Sequence, residues 1–81
     1  MSMVKDEAGK KALCDRLARV EGQLRGLQKL IQAEAESEKV AQQMTAARKA
    51  LDKAFFALVA TLIAEGQVDS DEVAALLLRF A

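Results

Sequence analysis

The residues able to do chemistry in this 81-residue chain are one cysteine and a set of arginines and lysines. Cys14 is the only thiol and, with no histidine present, the only soft nucleophile or soft metal ligand. Lys10, Lys11 and Arg16 stand close to it in sequence. Their charge could lower the thiol pKa and make Cys14 a sensor of electrophiles or persulfide. The plainer reading is preferred: a single cysteine beside a helix seam serves as a small apolar side chain. Without histidine there is no imidazole base. No glycine-rich loop follows a strand, and no carboxylate pair lies on an apolar face. The chain is read as not an enzyme, with no cofactor and no metal site.

The basic residues carry a different chemistry. Twelve cations and twelve anions cancel, which taken as a total argues against a nucleic-acid partner. Their distribution argues for one. Residues 10–29 hold Lys10, Lys11, Arg16, Arg19, Arg25 and Lys29 against Asp15 and Glu21, a net of +4. Residues 39–53 hold Lys39, Arg48, Lys49 and Lys53 against Asp52, a net of +3. The acids gather at Glu34, Glu36 and Glu38 and again at Glu65, Asp69, Asp71 and Glu72. Basic shafts with acidic ends present a positive stripe to a polyanion. The plain alternative is an ordinary solvated helix surface.

Helices must position these groups. Leu13, Leu17, Val20, Leu24, Leu27 and Ile31 recur at alternating spacings of four and three, one narrow stripe on a helix. So narrow a stripe is a seam between helices. Continuing it would bring Glu34 and Glu38 into the seam, and a new seam starts out of phase at Val40, Met44, Ala47, Leu51, Ala54 and Leu58. The reading is an antiparallel hairpin with a tight turn at about 34–37 and Ser37 as the N-cap of the second helix. Helix 1 is expected over about 7–33, helix 2 over about 38–65 with Gly66 as its C-cap, and a short helix 3 over about 70–80. Residues 1–6 are expected to fray. Asp69 with Glu72 resembles a capping box, ahead of a buried stripe of Val73, Leu76, Leu77 and Phe80. The whole is an all-α single domain, 1–81.

Two features point beyond the hairpin. The run Ala54–Ala64 is apolar on nearly every side, and Phe56, Val59 and Ile63 form a face that the hairpin partner cannot cover. A chain this short needs a staple, and one cysteine with no histidine leaves only oligomerisation. A dimer of four-helix-bundle type and then a tetramer are expected. Gly22 and Gly26 lie one turn apart away from the seam. Neutral drift is the preferred account, and close approach of a helix or phosphate chain the sharper one. The N-terminus MSMVKDEAGKK lacks an apolar signal core, and the longest uncharged run is eleven residues. A cytoplasmic protein with no membrane partner is expected.

The segments RLARVEGQLRGLQKLI and QQMTAARKALDKAFFAL carry a resemblance. Over about residues 11–66 the chain resembles the copper- and nickel-sensing repressors, CsoR, RcnR and the formaldehyde-responsive FrmR. The motifs are Arg-x-x-Arg-x-Glu-Gly-Gln-x-Arg-Gly in helix 1 and Ala-Ala-Arg-x-Ala-Leu-Asp-Lys in helix 2. The resemblance implies bacterial all-helical dimers and tetramers that bind operator DNA and release it when an effector binds. It implies DNA contacts at Arg16 and Lys53, to which charge and spacing add Arg48 and Lys49. The family's ligand positions fall here on Ser37, Leu62 and Gly66, so neither the copper site nor the formaldehyde-reactive thiol is present, and a histidine-rich nickel site is impossible. The expectation is therefore a DNA-binding repressor with a degenerate or altered effector site. The alternative is a non-sensing helical oligomerisation protein that partners a paralogue.

Overall fold

A computed structural model describes residues 3–81. Three helices follow in order, α1 (Glu7–Gln32), α2 (Ser37–Ala64) and α3 (Ser70–Phe80), with no strand among the described residues. The first two form an antiparallel hairpin. They pack along their length, while α3 touches the hairpin only lightly. The molecule is a slab of 47 × 27 × 13 Å. Its thin dimension is close to the ~10–12 Å diameter of a single helix.

Each helix end has a local cause. Asp6 caps α1 by accepting from the Gly9 N–H at 3.0 Å. At the other end the Glu34 N–H donates to the Ile31 carbonyl and the Ala35 N–H to the Leu30 carbonyl, a Schellman closure. The left-handed position this closure requires is taken by Glu34 at φ +57°, where glycine is usual. The chain therefore turns without Gly or Pro, at a conformational cost of about 1 kcal/mol. Because Glu34 and Ala35 are used in that closure, Glu36 becomes the residue flanking α2 and Ser37 its first helical residue. Ser37 is thus not the N-cap, and no side chain caps this end. Gly66 at φ +68° repeats the closure after α2, with its N–H on the Ile63 carbonyl and the Gln67 N–H on that of Leu62. The capping box of α3 is formed. Asp69 accepts from the Glu72 N–H at 2.8 Å, and Glu72 accepts from the Asp69 N–H at 3.2 Å.

The interior divides the sequence stripe in two. Val20 and Leu27 of α1 and Ala47 and Ala54 of α2 are buried between the helices, and Leu13, Leu30, Val40 and Leu58 are half-buried. Leu17, Leu24, Ile31, Met44 and Leu51 remain 44 to 54% exposed. A seam shared among four helices has this property, because each helix meets two neighbours and one hairpin supplies only one.

The structure corrects three expectations. Residues 3–6 are docked rather than frayed: Val4 is 3% exposed and the Lys5 N–H donates to Glu65 Oε1 at 2.8 Å. Residues 1 and 2 lie outside the described residues. Val59 is buried although it lies about 140° around α2 from Ala54. The residues after Gly66 fold back on that side, and Phe80 and Ala81 line a shallow groove with Leu51, Asp52, Phe55 and Phe56. Phe80 itself is 64% exposed, so the stripe of α3 is only partly covered. No described helix is long and apolar enough to cross a membrane.

Candidate nucleic-acid interface

The ten basic side chains of α1 and α2 fall into two groups according to their partners. Lys10 pairs with Glu7 at 3.2 Å, Lys11 with Asp15 at 2.9 Å and Arg25 with Glu21 at 3.7 Å, all within α1. The hydrogen bond from Lys11 to Asp15, reinforced by the carboxylate charge, holds that ammonium above its usual pKa. Arg16, Arg19, Lys29, Lys39, Arg48, Lys49 and Lys53 have no carboxylate partner among the described residues. All seven are exposed. Cations left free on rigid helices are available to an external anion at little reorganisation cost.

Helix geometry fixes where they stand. At about 100° per residue, the residue following an interior position turns to one edge of the hairpin and the residue preceding it to the other. Antiparallel packing brings like edges together. Cys14 follows Leu13 and Phe55 follows Ala54, and the two line one groove of about 420 Å³ with Met3, Leu17, Leu51 and Leu58. That edge is apolar. Arg48, which follows the buried Ala47, belongs to the same side. Arg19 precedes the buried Val20 and Lys53 precedes the buried Ala54, so both belong to the opposite edge. Arg16 stands about one turn before Arg19, and Lys49 about one turn before Lys53. Of the four cations expected to contact DNA, Arg16, Lys49 and Lys53 therefore share one side, and Arg48 does not.

Cys14 is a free, exposed thiol in the apolar groove. The neighbouring Lys10 and Lys11, which could activate it, are engaged with Glu7 and Asp15. Gly22 and Gly26 have nothing within 4 Å of an added Cβ, so no part of this chain approaches them. The tightly approached glycine is Gly9, where a Cβ would stand 3.2 Å from Thr61 Cγ2, Val4 Cγ1 and Glu65 Oε2. Sequence reasoning missed it, because its neighbours come from the far end of α2 and from the arm.

An all-α protein that presents free cations along one edge of a helical hairpin is the class defined by this fold and site. The model of the metal-sensitive transcriptional repressor family matches residues 9–77, and the chain belongs to that family. Membership makes it a transcriptional regulator with DNA as its partner. No curated relative and no solved structure matches the chain.

The family name implies a metal, and the donor set here does not fit one. At the three ligand positions suggested by resemblance, Ser37 offers a hydroxyl, Leu62 is an apolar side chain 4% exposed, and Gly66 has no side chain. Copper(I) requires soft thiolates, and nickel sites of the family type require imidazoles. No group of three or more His, Cys, Asp or Glu among the described residues could hold a metal ion.

Proposed function

We propose that this chain is a DNA-binding repressor that keeps the scaffold of its family and has lost or altered the family's effector site. The observation that carries the reading is the set of exposed cations on α1 and α2 that have no carboxylate partner among the described residues, Arg16, Lys49, Lys53 and Arg48 among them. Such side chains contact phosphates, which position the protein and make affinity strongly dependent on salt. Mobility-shift titration against the DNA upstream of its own operon tests the reading. Binding at micromolar protein that weakens steeply with salt, and is reduced by Arg16→Ala, is expected. No binding, or an unaffected Arg16→Ala, defeats it.

The binding unit in this reading is an oligomer. Leu17, Leu24 and Ile31 repeat every seven residues along α1, and Met44 and Leu51 do so along α2, all on one edge. A second hairpin placed against that edge completes a four-helix bundle and leaves the opposite, basic edge free. Phe56 and Ile63, both half exposed on the far side of α2, offer a second surface for a tetramer.

The same apolar edge, together with the unsuitable ligand positions, also favours a second reading: a non-sensing subunit that assembles with a ligand-bearing paralogue. Coexpression with such a paralogue followed by native mass spectrometry distinguishes the two. Mixed oligomers support the second reading, and operator binding by this chain alone supports the first.

A further inference from the structure

Resting on the reading of the repressor as an oligomer, we propose that residues 3–6 form a releasable latch that completes the self-association edge. With the arm docked on the end of α2, Met3 supplies an apolar side chain that α1 lacks at that end of the edge. Every seventh residue back along α1 runs Ile31, Leu24, Leu17 and then Lys10. Lys10 is polar and paired with Glu7 at 3.2 Å, so the apolar row of α1 stops one heptad short. The arm fills that place. Met3 lines the groove with Lys10, Leu13 and Leu17 of α1 and Leu51 of α2, and 60% of its surface remains in water. That exposed part is apolar and extends the row that a second hairpin covers.

Two contacts place Met3 there, both at the end of α2. Val4 is buried, and it lies so close to Gly9 that a Cβ there would stand 3.2 Å from Val4 Cγ1 and from Thr61 Cγ2. The Lys5 N–H donates to Glu65 Oε1 at 2.8 Å, and Glu65 is the residue that ends α2. Asp6 then turns the chain into α1 by capping it. The hold is incomplete. Glu65 Oε2 is buried beside Gly9 with no hydrogen-bond partner among the described residues, so half of this carboxylate loses hydration without return. A latch of one main-chain bond, one buried valine and a half-satisfied carboxylate opens at far lower cost than the hairpin unfolds. Opening withdraws Met3 from the edge. Self-association is thereby coupled to the order of the chain at Glu65.

Sedimentation equilibrium of the full chain, read at the monomer–dimer step, tests the latch. Met3→Gln is expected to weaken this step about fivefold or more, because an isologous interface counts the change twice. Glu65→Ala frees Lys5 without altering the edge itself and is expected to weaken the step by a similar factor. The double variant loses no more than the larger single loss, since both changes act through the seating of Met3. Leu78→Gln, at an α3 residue more exposed than Met3, stays within about twofold of wild type. Circular dichroism confirms that each variant is folded. A Met3→Gln or Glu65→Ala protein that associates like wild type overturns the latch and leaves the repressor reading intact. So do losses that multiply in the double variant, and so does a Leu78→Gln protein that loses as much as Met3→Gln. A wild-type chain that is monomeric at micromolar concentration overturns the latch and the oligomeric reading together.

Discussion

At the scale of single residues, three glycines that look alike in the sequence have opposite consequences. Gly22 and Gly26 sit in a helix interior with open space around them. Replacing either with alanine removes backbone entropy from the unfolded chain, and each change is expected to raise stability by about 1 kcal/mol. Gly9→Ala places a methyl group against Thr61, Val4 and Glu65 and is expected to lower stability. Urea denaturation of the three variants checks both signs. The two Schellman closures supply a second pair. Glu34→Gly relieves a left-handed non-glycine residue and gains about 0.5–1 kcal/mol, whereas Gly66→Ala imposes such a residue and loses about as much. Thermal melting that ranks Glu34→Gly above wild type and Gly66→Ala below it is the expected result.

At the scale of elements, the arm before α1 behaves as a strap across the open end of the hairpin. It buries Val4, bonds the Lys5 N–H to Glu65, and extends Met3 over the apolar groove. Glu65→Ala removes the acceptor of that bond and is expected to cost about 1 kcal/mol. Amide exchange at Lys5 should quicken more than exchange in the middle of α1. Uniform quickening would mean that the arm is not a separate cooperative unit. The lightly packed α3 is the other element whose order depends on its neighbours, since Leu78 is 89% exposed.

At the scale of the molecule, a slab little more than one helix thick cannot enclose a core of its own. Among the described residues no large side chain is fully buried, and five large apolar side chains stand along one edge. At about 25 cal/mol per Å², covering such an edge contributes several kcal/mol per subunit. Leu51→Glu on that edge is expected to yield monomers at micromolar concentration. Phe56→Glu on the far side of α2 is expected to stop assembly at the dimer. Sedimentation velocity separates these outcomes, and an Leu51→Glu protein of unchanged size would place the first interface elsewhere. Both variants should also weaken DNA binding, because a patch repeated across subunits binds a long polyanion more tightly than a single copy.

What the sequence by itself determined is local: an all-α chain, a hairpin followed by a capped third helix, and the motifs of a repressor family. These follow from periodicity and capping, which act over three or four residues and need no partner. The tertiary structure alone decided which half of each stripe is interior. Leu13, Val20 and Leu27 went inward while Leu17, Leu24 and Ile31 stayed at an edge, because docking of α2 selects one side of a seam that suits two neighbours. It also buried Val59 and docked Val4. The same docking separates Arg48 from Lys49 and Lys53. Adjacent residues on a helix point about 100° apart, so a cluster that is continuous in sequence divides between two edges once one side of the helix is packed.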